Sequence, residues 1–202
     1  MTISIRVEEA RDYSPVEHLT REAFWDLYHP GCSEHLIVHK IRDVPAFIRD
    51  LSLVACDGDT IVGNIMYSRA KVVNARNQEF EVLCMGPIGV LPSCQKKGIG
   101  SQLMNASIQK AKALGFRAVI IFGSPAYYHR FGFVNAQQYG ITTPTGDNFD
   151  AFMALELYDG ALQGISGKFY ADRVFEIDNQ ELEAFDKHFP YKDKHVTDTQ
   201  LK

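Results

Sequence analysis

The chain is 202 residues long, 46% hydrophobic and 23% charged, which gives it the length and apolar content of one ordinary globular core. Its formal charge of -4 leaves no global basic field for a phosphate backbone and argues against nucleic acid as a partner. No apolar run approaches the roughly 20 residues that cross a bilayer, and Met1 to Ala10 lacks the apolar stretch of a signal peptide, so a soluble, cytoplasmic protein without a membrane partner is expected.

Ile3, Ile5 and Val7 alternate with polar residues, as in a half-buried strand. Ser14-Pro15-Val16-Glu17 then reads as a helix start, with Ser14 as cap and Glu17 reaching back, and Val16, Leu19, Ala23 and Leu27 form its inward face. Residues 35 to 50 read as largely helical, broken near Pro45. Between Leu51 and Tyr67, two apolar runs flank Asp57-Gly58-Asp59 and predict a hairpin, because glycine there accepts positive φ. A third strand runs from about Phe80 to Val90, and Gly86-Pro87 should disturb its pairing, since proline donates no ladder hydrogen bond.

The loop Leu91 to Gly100 opens into a helix with the apolar stripe Leu103, Met104, Ile108, Ala111 and Leu114, ended by Gly115. Ala118 to Phe122 reads as a strand buried on both faces, and Ser124-Pro125 starts a short helix closed by Gly132. Phe152 to Leu157 and Phe169 to Ile177 are further strands, Asp178 to Phe189 is a helix, and Tyr191 to Lys202 is a polar tail. With no repeat and no low-complexity linker, residues 1–202 are expected to form one mixed α/β (α+β) domain: a core of about 1–157, an extension of about 158–190 and the tail 191–202.

The chemistry is concentrated between Met85 and Phe133, where a disturbed strand meets a basic, glycine-bearing loop that opens directly into a helix. The first amides of a helix have no intrahelical partner and sit at the positive end of its dipole, so they can hold an anion. Gly98 and Gly100 would allow close approach, and Lys96 and Lys97 add positive charge; a tight turn alone would use the same glycines. Two other phosphate motifs are absent: Gly58 and Gly63 have Walker spacing but are followed by Asn64-Ile65, and no GxGxxG follows a strand.

Gln95-Lys96-Lys97-Gly98-Ile99-Gly100 resembles the [QR]-x-x-G-x-[GA] loop that holds the CoA pyrophosphate in the GNAT family of N-acetyltransferases. Tyr128 to Phe133 supplies a second match, Tyr-x-x-x-Gly-Phe, in the family's order, and Gly123-Ser124-Pro125-Ala126-Tyr127-Tyr128 resembles a branch of predicted N-acetyltransferases. The resemblance implies the acyl-CoA N-acyltransferase fold, a central mixed, mostly antiparallel sheet flanked by helices. It also implies transfer of acetyl from acetyl-CoA, the co-substrate, to a primary amine on a small molecule or protein; a homodimer is compatible with it. By the same resemblance, Ile88, Gly89 and Val90 would pair with the pantetheine arm. Gln95, Lys96, Lys97, Gly98, Ile99, Gly100 and Ser101 would form the pyrophosphate loop, Ser124 and Tyr127 would border the cofactor, and Tyr128 would protonate the leaving thiolate. The alternative is a catalytically silent CoA-binding sensor or interaction module of the same fold.

Many members carry a glutamate before the loop, where this chain has Met85-Gly86-Pro87-Ile88. Glu81, His29, Glu34 or ordered water are the remaining candidates for the base. The family's asparagine before the tyrosine helix is also missing. Trp25, Tyr28 and His29 could line an acceptor pocket or form a packing cluster. His35 and His39 have helical i,i+4 spacing but lack the glutamate of HExxH, and no metal is expected. Cys32, Cys56, Cys84 and Cys94 form no CxxC pair and are expected to be reduced, with Cys94 incidental despite its basic neighbours.

Overall fold

A computed structural model describes residues 2–200. These form one nine-stranded sheet with helices on both faces. β1 (Ile3–Val7), β2 (Leu53–Asp57), β3 (Thr60–Val73) and β4 (Glu79–Val90) pair antiparallel in that order. β5 (Ala118–Phe122) joins β4 in parallel, and β8 (Phe152–Glu156) follows it antiparallel. Short strands β6 (Val134–Asn135) and β7 (Ile141–Thr142) had no clear signal in the sequence, being too brief to alternate. β9 (Gly167–Tyr170) pairs with the far end of β3 and with β7.

The period of two in the strands sorts side chains to the two faces. Leu53 and Ala55 pack in the cluster with Leu103 and Met104 of α3 (Ile99–Ala113), whereas Val54 and Cys56 pack with Val16 of α1 (Tyr13–Phe24) and Val38 of α2 (Glu34–Lys40). A third cluster buries Phe169, Leu162 and Ile165 of the extension against Val72, Val82 and Ile120 of the sheet. The extension is therefore part of the sheet's covering.

Several boundaries move from their sequence reading. α1 begins at Tyr13 after a 3-10 turn Ala10–Asp12, so Ser14 lies inside it and does not cap. Glu17 instead accepts from Arg42 Nη1 at 2.7 Å, part of a buried network in which Arg42 also pairs with Glu8 at 2.7 Å. α2 gives way to a 3-10 turn, Ile41–Asp43, before Pro45 is reached. β9 ends at Tyr170 and a 3-10 turn, Arg173–Phe175, replaces the rest of the expected strand. Leu114, assigned to the inward stripe of α3, is 45% exposed because it lies past the last helical residue.

Residues 191–200 follow a defined path rather than trailing as a free polar tail. Trp25 Nε1 donates to the Asp193 carbonyl at 2.8 Å, Thr197 Oγ1 donates to the Asp26 carbonyl at 2.9 Å, and Lys192 pairs with Glu22 at 2.8 Å. α5 (Asn179–Asp186) is pinned to α1 and α2 by Asp186, whose carboxylate accepts from buried Arg21 at 2.7 Å and lies 3.2 Å from His35 Nε2.

Burial, partly offset by Asp186, pushes the His35 imidazole down to about 4 from an ordinary 6.5. A depressed folded value means the unfolded chain binds the proton first. The contribution is complete above about 6.5 and is lost as pH falls toward 4. Melting temperature is expected to drop across that window, and less steeply in His35→Gln; an equally steep drop in the variant would assign the acid loss elsewhere.

Candidate functional site

The opening in the sheet arises at Gly86-Pro87. Opposite Ile65 to Tyr67 of β3, β4 spans Ile88 to Met85, one residue more, so β4 bulges there. Its pairing with β5 is confined to Leu83 with Val119 and Cys84 with Ile120. Beyond Cys84 the two strands part, and the β5-facing edge of β4 through Ile88, Gly89 and Val90 borders a cavity of about 790 Å³. That volume lies in the small-molecule range of roughly 300–1,000 Å³.

The loop after β4 forms one end of this cavity. Lys96 has φ 60° and Gly98 φ 80°, both left-handed, a conformation that can turn successive amides toward one concave side. α3 then begins at Ile99, its first intrahelical amide bond running from Gln102 to the Gly98 carbonyl at 3.0 Å, with no side-chain cap at Gly98. The amides of Ile99, Gly100 and Ser101 therefore stand free of helical acceptors. Gln95, Lys96, Gly98, Ile99, Gly100 and Ser101 all line the cavity. Lys97 does not: its ammonium donates to the Ser93 carbonyl at 3.0 Å and ties the loop to itself. Gln95 does the same with its amide, donating to the Val90 carbonyl at 3.1 Å.

The short helix α4 (Pro125–Tyr128) supplies the opposite wall. Ser124 lines the cavity but makes no capping bond. Tyr127 reaches the start of α3, where a Cβ on Gly100 would stand 2.8 Å from its hydroxyl, and the Arg130 guanidinium lies 4.9 Å over its ring. Tyr128 packs edge-on against Tyr127 at 4.9 Å and Phe133 at 5.6 Å. Its ring lies on Gly123: a Cβ there would stand 2.8 Å from Tyr128 Cδ2 and overlap Cε2. Burial raises the pKa of the Tyr128 phenol, so it keeps its proton at neutral pH.

Phe24 at the end of α1, Tyr28 just past it and Glu34 on α2 line the cavity on another side. Burial pushes the Glu34 carboxyl above the ordinary carboxylate range, although the Ser33 amide donates to it at 3.0 Å. Burial and the Glu34 charge likewise raise Tyr28. The other base candidates lie off the cavity: Glu81 pairs with Arg69 at 2.8 Å on an exposed edge, and exposed His29 contacts the Pro30 carbonyl. Trp25 also lies off it, held by the tail and stacked under Arg21 at 4.1 Å, so only Tyr28 of that aromatic trio borders the cavity. Among the described residues no group of three His, Cys, Asp or Glu side chains is placed to hold a metal ion. His35 and His39 face different partners, Asp186 and Glu17.

The sequence did not single out Phe122, Arg130, Ala171 or Phe175, which also line the cavity. Phe175 comes from the extension, so no local pattern could have placed it. Gly123 carried a signal in its spacing to Tyr128, but its steric reason needed the ring's position.

A family model described as acetyltransferase (GNAT) family matches residues 16–133. The uncharacterized N-acetyltransferase YhbS of Escherichia coli strain K12 is 29% identical over 164 residues, 81% of this chain and 92% of that protein. The crystal structure of Escherichia coli YhbS in complex with CoA matches with a TM-score of 0.77 at 26% identity, covering 87% of this chain and 92% of that one. A GNAT family acetyltransferase from Brucella melitensis in complex with acetyl-CoA matches with a TM-score of 0.70 at 25% identity, covering 86% and 98%.

Proposed function

The chain belongs to the GNAT family of acetyltransferases, and on that premise we propose that it transfers the acetyl group of acetyl-CoA to a primary amine. One observation carries the reading: a single cavity joins the free amides at the start of α3, the unpaired edge of β4, Tyr128 and Glu34.

The amides from Gly98 to Ser101 hold the pyrophosphate, with Lys96 and Arg130 supplying positive charge at that end. The backbone of Ile88 to Val90 pairs with the pantetheine arm as a missing strand would, and an amide there polarises the thioester carbonyl. Glu34 takes the proton of the incoming ammonium, directly or through water, which its raised affinity for a proton favours. The amine attacks, the tetrahedral oxyanion collapses, the C–S bond breaks, the Tyr128 phenol gives its proton to the thiolate, and the second proton shed by the nitrogen returns through water to the Tyr128 phenolate.

Acetyl-CoA is expected to raise the melting temperature by mass action, a stabilisation of about 2.7 kcal/mol at roughly a hundredfold excess over Kd, with far less from ATP or NAD. No shift and no calorimetric heat would refute the reading, and binding without acetylation of any amine would favour a silent CoA-binding module. Gly98→Val is expected to weaken acetyl-CoA binding, because a branched residue is strained at φ 80° and its side chain would project from the loop. Unchanged affinity in a folded Gly98→Val protein would place the pyrophosphate elsewhere.

A further inference from the structure

The cavity is polarised in charge. Among the described residues its charged lining side chains are Lys96, Arg130 and Glu34. Lys96 belongs to the loop before α3, and Arg130 lies on the ring of Tyr127, whose hydroxyl meets Gly100 at the start of that helix. Both cations therefore stand at the loop end. Glu34 stands apart on α2, close enough to Tyr28 for its charge to raise the pKa of that phenol, and Tyr28 packs on Phe24 at 6.1 Å. Leu27 beside Tyr28, Ile37 one turn along α2 from Glu34, and Phe175 in a turn that packs on α2 add apolar lining.

We propose that the acceptor is a monoamine with an apolar or aromatic body and no carboxylate beside its nitrogen, held through its ammonium by Glu34. The proposal rests on the acetyltransferase reading and deepens it. An ammonium entering this end finds one half-buried opposite charge, and the body attached to it finds aromatic and aliphatic surface. A carboxylate on the neighbouring carbon would face Glu34 in apolar surroundings, with Lys96 and Arg130 away at the end assigned to the CoA phosphates. A second ammonium, as in a diamine, would be desolvated against the apolar lining without a partner. The same carboxylate that binds the ammonium is then placed to accept its proton before attack.

The test is acetyl-CoA-dependent thiol release with 2-phenylethylamine, phenylalaninamide, phenylalanine and putrescine, in the wild type and in Glu34→Gln, with acetyl-CoA binding measured calorimetrically on the same preparations. 2-Phenylethylamine and phenylalaninamide are expected to exceed phenylalanine and putrescine in kcat/KM by about tenfold or more, the scale of one unpaired or repelled charge. Glu34→Gln keeps an acceptor oxygen for the Ser33 amide and removes the charge. It should raise KM for 2-phenylethylamine and narrow its advantage over phenylalanine, with acetyl-CoA affinity unchanged. A purely structural Glu34 would leave that ratio alone.

The proposal is overturned if phenylalanine or putrescine matches 2-phenylethylamine. It is overturned too if a wild type that binds acetyl-CoA does not acetylate 2-phenylethylamine, or if a folded Glu34→Gln protein keeps the wild-type ratio. Failure of the wild type to bind acetyl-CoA would instead bring down the acetyltransferase reading beneath it.

Discussion

Tyr128→Phe is expected to lower turnover by about 10²–10⁴-fold, the loss typical of a removed acid or base, with little change in folding or acetyl-CoA affinity. The ring is 9% exposed and packs against Tyr127, Phe133 and the Gly123 backbone, and phenylalanine keeps every one of those contacts. What it removes is a proton that burial holds firmly on the phenol at neutral pH. Tyr127→Phe is the internal control. Its hydroxyl meets the start of α3 at Gly100, so its loss should appear in KM for acetyl-CoA more than in kcat. Steady-state kinetics on both variants decides the matter: normal turnover in Tyr128→Phe would remove the residue from the chemistry.

Gly123→Ala should disable the same group from behind. The added methyl would overlap Tyr128 Cε2, and a ring packed between Tyr127 and Phe133 has no free side to retreat to except the cavity. Overpacking of this kind costs about 1–3 kcal/mol. The displaced ring would also leave the position from which we propose it serves the thiolate. The expected result is a lowered melting temperature together with a loss of kcat approaching that of Tyr128→Phe. The double variant Gly123→Ala with Tyr128→Phe should then add little further loss in kcat, since both changes act through one side chain. Independent, multiplying losses would show that Gly123 matters for another reason.

These two substitutions concern the part of the site that local chain geometry builds. The end of the cavity beside α1 and α2 is built differently. Glu34 sits on α2, Phe24 and Tyr28 lie at and just past the end of α1, and Phe175 belongs to the extension. α1 and α2 are held by buried charges, Arg42 with Glu8 and Glu17, and Arg21 with Asp186. Removing one partner of such a pair leaves the other charge buried and uncompensated, so that wall depends on contacts between residues far apart in the chain.

The residues alone determined the hairpin at Gly58, the disturbed strand at Gly86-Pro87, the glycine loop opening into α3, and the tyrosine helix beyond β5. Each is a local matter: a left-handed turn, a missing amide donor, a helix start or an apolar period leaves its mark within a few residues of sequence. The family followed from the order of those local marks. Tertiary structure alone decided that Lys97 turns back to Ser93 while Arg130 joins the cavity, and that Glu81 pairs outward with Arg69 while Glu34 lines the cavity. It also decided that residues 191–200 lie along the α1–α2 connection and that Phe175 lines the cavity. The side chain of a carboxylate or a lysine is equally at home in solvent and in a site. Which of the two it occupies is set by what distant segments pack around it, and no periodicity or spacing records that.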